Sequence, residues 1–242
     1  MEFTYGAYTN LINLLKENNY VFTDYVNYNK VKKAVIFRHD VDNSLGKALE
    51  IARLENKNRI KSTYFLLLST NFYNIFSKES SKMLNEVMNL EHEIGLHFDE
   101  KRYEIGDEKE LEGYIEYEKN ILEKALDKKI KVVSMHRPSK WILENDIQFG
   151  NIINSYSKVF IKKFKYLSDS RMYWREDVLN IVKSNKHDRL HILTHPFWYS
   201  NKKQQINEKI MEFVNDGRIQ RYNDLLLNIE DLNSLIDKGK CH

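Results

Sequence analysis

The stretch Phe37-Arg38-His39-Asp40-Val41-Asp42 follows directly on the apolar run Ala34-Val35-Ile36-Phe37, and its reading decides the fold. A short apolar run bounded by charge fits a strand buried on both faces, as in parallel sheets wrapped by helices. Asp40 and Asp42 then lie at the strand's carboxyl end, where barrels and open α/β sheets place ligands and catalysis. Two residues apart, they point the same way on a regular strand. Their mutual repulsion is relieved by a cation beside them. The plainer alternative is a strand end leading into a helix, with Asp42 or Asn43 as its N-cap.

Outward from this stretch, apolar runs alternate with segments of helical spacing. Helices are expected over residues 8–15, 44–58, 78–90 and 111–126. Strands are expected over 63–68, over 93–96 stopping at His97, over 130–135 stopping at His136, and over 190–193 leading to Thr194-His195-Pro196. Residues 159–167 look strand-rich ahead of Ser168-Asp169-Ser170-Arg171, and 218–222 form a last strand candidate. Alternation at about 30-residue intervals argues for parallel strands joined by right-handed crossovers. Four strand ends, at Asp40/Asp42, His97, His136 and His195, would then share one rim.

The 242 residues suffice for one sizeable core, and 42% hydrophobic with 30% charged residues excludes wholesale disorder. A net charge of +3, with lysines scattered among Glu and Asp, gives no case for nucleic acid. The single cysteine, Cys241, can build neither a disulfide framework nor a Cys-based metal site. No apolar run approaches a membrane span and no signal-like leader is visible, so the expected location is cytoplasmic unless an export signal was removed. A single domain is expected, with a helical extension over 1–32, a motif-bearing barrel over 33–222 and a terminal helix over 223–242. Imidazole with carboxylate is a usual ligand set for Zn²⁺ and similar ions, with a position left open for water.

The order Arg38-His39-Asp40-Val41-Asp42, Thr63-Tyr64-Phe65, His92-Glu93-Ile94-Gly95-Leu96-His97, His136-Arg137-Pro138-Ser139 and Leu193-Thr194-His195-Pro196 resembles the polysaccharide deacetylase superfamily. This is the NodB-homology fold of carbohydrate esterase family 4, and the likeness is to its divergent branch whose first motif reads His-Asp-Val-Asp. It runs from about residue 33 to 222.

The resemblance implies an α/β fold, a distorted (β/α) barrel of about seven strands. It also implies metal-dependent removal of an N- or O-linked acetyl group from a sugar or glycan precursor in surface polysaccharide metabolism. By position Asp40 matches the catalytic base, Asp42 a metal-binding Asp, His97 the first metal-binding His, and His195 the general acid, with Asp169 the residue that orients it. The metal implied is zinc, with cobalt, nickel, iron or manganese as alternatives.

Two departures matter. Lys101 stands where the second motif usually has another His, and His136 where the third usually has Arg. The inferred ligand set is therefore Asp42, His97 and His136, with Asp99 or His195 as alternative third ligands. Arg137, Trp198 and Tyr199 are the candidate substrate-binding residues, Arg137 for an anionic substituent and the aromatics for sugar faces. A catalytically silent barrel that binds carbohydrate or a partner protein remains a second reading, and a metallohydrolase of non-sugar amides a third. The oligomeric state is left open.

Overall fold

The computed structural model describes residues 1–236, so Cys241 lies outside the described residues. The chain divides into two compact units, Met1–Asn201 and Lys202–His242. The first contains α1 (Tyr5–Glu17), β1 (Val21–Thr23), β2 (Ala34–Val41), α2 (Leu45–Lys57), β3 (Thr63–Leu67), α3 (Lys78–Asn89) and β4 (Glu93–Phe98). It continues with α4 (Glu108–Leu126), β5 (Val132–Met135), α5 (Lys140–Glu144), β6 (Ile153–Asn154), β7 (Lys165–Ser168), α6 (Val178–Ser184) and β8 (Arg189–Thr194). The second holds α7 (Ile206–Leu226) and α8 (Leu232–Leu235).

Every sheet pairing is parallel, in the order β6-β5-β4-β3-β2-β8-β7. The short β1 pairs with the first half of β2, Val21 opposite Ala34, and β3 with the second half, Arg38 opposite Thr63.

Parity along β2 sorts its side chains between two cores. Val35, Phe37 and Val41 join the large outer core beneath the helices, with Leu45, Ala48, Leu49 and Ala52 of α2. Ala34 and Ile36 face inward, with Tyr25, Phe65, Val132, Phe160 and Phe164. Arg38 and Asp40 continue that inward row. Strands β2 and β5 are three neighbours apart, roughly 14 Å across a flat sheet. Arg38 on β2 nevertheless donates to the hydroxyl of Ser134 on β5, and at 3.1 Å to that of Ser155 just past β6. Only a curled sheet permits this, so the sheet is a distorted barrel with Arg38 inside it.

Packing inside the curl explains Gly95. It pairs with Phe65 in register, and a Cβ there would lie 2.6 Å from the Phe65 ring. Gly95→Ala is expected to destabilise the fold by about 1–3 kcal/mol, read from chemical unfolding.

Three expectations need correction. Residues 218–222 lie inside α7, because Ile219 and Tyr222 are three apart, a helical rather than a strand interval. Residues 159–163 form a π-helical turn, and only Lys165–Ser168 is strand. The sheet also begins earlier and ends earlier than 33–222, since β1 lies within the expected helical extension and β8 stops at Thr194.

Candidate metal centre

Strand β2 runs on through Val41, so Arg38, His39 and Asp40 lie within the strand and are all buried. Burying these groups is tolerable only if they are paired. Arg38 pairs bidentately with Asp40, Nε donating to Oδ1 at 3.0 Å and Nη2 to Oδ2 at 2.8 Å. Its guanidinium also donates to Tyr156 and lies over the Tyr156 and Phe65 rings. Burial alone would raise the Asp40 carboxyl, but Arg38 and then His97 hold it well below the usual carboxylate range. Asp40 is therefore an ionised acceptor with a fixed orientation.

His97 faces the same side from β4, with Nε2 3.2 Å from Asp42 Oδ1 and 3.6 Å from Asp40 Oδ2. Its Nδ1 sits 3.3 Å from the Ser134 carbonyl, which can only accept, so Nδ1 carries the proton and Nε2 faces the carboxylates. Burial pulls the His97 pKa down, but Asp40 and Asp42 outweigh it and the net shift is upward. The field that favours a proton on His97 equally favours a cation.

His136 follows β5 directly, its backbone N–H held by the Phe98 carbonyl at 2.7 Å and its ring 5.2 Å from that of His97. Burial and then the neighbouring His97 lower its pKa, which keeps it neutral and able to ligate. Asp42, His97 and His136 each offer one ligand atom, and these atoms lie within 4.8 Å of one another.

Asp42 Oδ1 and His136 Nδ1 are buried and lack a hydrogen-bond partner. Such orphaned atoms are costly unless something fills the space between them. Two imidazoles and a carboxylate, with an orphaned atom on the carboxylate and on one of the imidazoles, fit a divalent cation of the zinc type. Asp99 Oδ2 stands 3.6 Å from His136 Nδ1 while its Oδ1 caps the Lys101 N–H. The Lys101 residue is exposed.

On the far side, His195 follows β8 and Asp169 follows β7. His195 Nδ1 donates to Asp169 Oδ1 at 2.7 Å, and the His195 backbone N–H reaches the same carboxylate. Burial would lower the His195 pKa, but the hydrogen bond and charge of Asp169 raise it to about 9. The imidazole is thus held protonated with Nε2 as its remaining donor.

Of the candidate substrate-binding residues, Arg137 is exposed and its backbone has φ 52. Asp40 is paired with Arg38 and Asp169 with His195. Trp198 is partly buried against Phe197, ring centroids 4.8 Å apart. Tyr199 is fully buried and donates to Asp169 Oδ2 at 3.0 Å, so its place is behind the site, unavailable for stacking on a sugar. Sequence reasoning gave Arg38 no role, although its two-residue offset from Asp40 puts both on one face.

No family model and no curated protein sequence matches this chain. Solved structures similar to it include a CE4 family pseudoenzyme from Bacillus anthracis, 18% identical over 77% of this chain and 62% of that one, TM-score 0.46. The present chain thus spans less than two thirds of that protein's length. Others are a family 4 carbohydrate esterase from Bacillus anthracis, 16% identical over 85% of each chain, TM-score 0.46, and the peptidoglycan deacetylase PdaC from Bacillus subtilis, 15% identical over 76% of this chain and 85% of that one, TM-score 0.46. The solved structures that this chain resembles thus include a CE4 family pseudoenzyme, a family 4 carbohydrate esterase and a peptidoglycan deacetylase, and at such identities and TM-scores the likeness assigns no activity to it.

Proposed function

We propose that this chain is a metal-dependent hydrolase of the polysaccharide deacetylase type, removing an acetyl group from a sugar or glycan precursor of surface polysaccharide. The carrying observation is the convergence of Asp42, His97 and His136, with two of their ligand atoms buried and unpartnered. Beside it stand a carboxylate oriented by arginine and an imidazole held protonated by a carboxylate.

Asp42, His97 and His136 would hold the cation. When bound, a divalent ion of this kind polarises an acyl oxygen and lowers the pKa of coordinated water. The rest is done by the chain's own groups. Asp40, fixed by Arg38, accepts the proton of the attacking water. His195, fixed by Asp169, gives the proton from Nε2 to the departing sugar nitrogen or oxygen. Arg137 and Trp198, at the rim past β5 and β8, border the sugar, and Arg137 suits an anionic substituent.

Acetate release from N-acetylglucosamine oligomers and O-acetylated xylo-oligosaccharides, measured on zinc-, cobalt-, nickel- and manganese-loaded protein, tests this reading. Release from none of them, with the ion bound, would sink it.

The acid's protonation sets a pH dependence. His195 must enter the reaction protonated, so activity is lost as pH rises through its pKa, about 9. A bound cation adds positive charge nearby and moves this limb down. Asp169→Asn removes the charge that raises the pKa and should move the limb further towards neutrality, read from a kcat against pH profile.

A further inference from the structure

Behind the sheet, on the face away from the metal centre, lies a polar cluster that the mechanism above does not use. Glu55 of α2 is fully buried. Its Oε1 accepts from Tyr8 at 2.6 Å and from His39 Nε2 at 2.9 Å. Its Oε2 accepts from Ser62 at 2.5 Å and Tyr64 at 2.7 Å. Burial would raise the carboxyl, but His39 above all brings it down to about 2. A buried carboxylate with four donors is a strong orienting device, because every lone-pair direction is committed.

The chain of bonds leads back to the reacting groups. While Nε2–H is given to Glu55, the other ring nitrogen of His39, Nδ1, is hydrogen-bonded to the Thr194 hydroxyl at 2.7 Å. His39 and Thr194 are register partners and form the last paired rung between β2 and β8. The next residues along the chain are Asp40, still within β2, and His195, just past the end of β8. Asp40 is oriented within β2 by Arg38, and His195 by Asp169 from β7. The side-chain link between their own two strands, one residue before both, is His39 to Thr194.

We propose that Glu55, acting through His39 and Thr194, is a positioning residue that sets the distance between Asp40 and His195. This rests on the deacetylase reading. Replacing the Thr194 hydroxyl frees the end of β8, displaces His195 and weakens proton delivery while the metal ligands stay in place. The loss therefore falls on substrates whose leaving group needs a proton.

The test uses zinc-loaded wild type, Thr194→Val, Thr194→Ser and Glu55→Gln with two probes. These are tetra-N-acetylchitotetraose, whose amine must be protonated to leave, and 4-nitrophenyl acetate, whose phenolate need not be. Thr194→Val and Glu55→Gln are expected to lower kcat on the amide about tenfold with KM little changed, and on the ester far less. Thr194→Ser, which keeps the hydroxyl, should restore the amide rate.

A second arm needs no turnover. The low-field proton resonance of the His195 Nδ1–Asp169 bond, assigned by its loss in His195→Ala, should shift or broaden in Thr194→Val and return in Thr194→Ser. Equal loss on both probes would mean general structural damage and would overturn the proposal, as would wild-type rates and an unmoved resonance in Thr194→Val. If wild type cleaves neither probe, the deacetylase reading fails by itself and the resonance still decides the link.

Discussion

Asp40→Asn is expected to lower turnover on an acetylated sugar by about 10²- to 10⁴-fold while the protein keeps its equivalent of metal. The substitution is close to isosteric, and one amide oxygen can still accept from Arg38. What it removes is the property that the proposed reaction asks of Asp40, an ionised oxygen that can take a proton. Arg38 makes that property permanent, since it keeps the carboxyl ionised far into the acid range. The same pairing makes Asp40 a weak base that holds a proton only in passing, so its contribution is mainly one of placement. Arg38 would also keep its bonds to Ser155 and Ser134 in the variant, which limits the penalty for leaving its charge short of a partner. Thermal melts of the variant separate that penalty from the kinetic loss. Full turnover in a folded, metal-loaded Asp40→Asn protein would remove Asp40 from the role of base.

Period and punctuation made most of this legible in the sequence. The apolar run before Arg38 announced a strand buried on both faces, and β2 is buried at all eight positions. The parity argument placed Asp40 and Asp42 on one side, and both lie beside His97. Other features depend on contacts that no local pattern carries. β1 is three residues long and exists because β2 offers it a free edge ahead of β3. The pairing of Arg38 with groups at β5 and β6 requires the curl of the sheet, a property of all its strands together. Tyr199 reads as a rim aromatic from its position after His195, yet the turn over Pro196–Trp198 sends it inward to Asp169. Glu55 looks like one more charged position on an amphipathic helix, because its four partners, Tyr8, His39, Ser62 and Tyr64, come from other parts of the chain.

The other large effect concerns the ligands. Wild type is expected to bind about one equivalent of zinc by elemental analysis, and His97→Ala and His136→Ala each to weaken that binding by at least about 100-fold, since losing even an outer-shell partner costs about 10- to 100-fold. His97 has its Nδ1 spent on the Ser134 carbonyl, so it serves only through Nε2, which already lies against Asp42. His136 is the informative case, because it occupies a place where the resemblance leads one to expect arginine. Its Nδ1 is buried without a hydrogen-bond partner and its pKa is lowered, both of which suit a neutral ligand. Lys101→Ala should leave zinc binding unchanged, because that side chain is exposed and a protonated lysine offers no lone pair. If His97→Ala loses the ion and His136→Ala keeps it, the third ligand passes to Asp99, whose carboxylate stands 3.6 Å from His136, or to His195. If wild type takes up no ion when one is supplied, the orphaned atoms of Asp42 and His136 are satisfied by something other than a cation. The chain is then better described as a silent barrel that binds carbohydrate or a partner protein, and Arg38 and Asp169 become groups that hold a fold together with no reaction to serve.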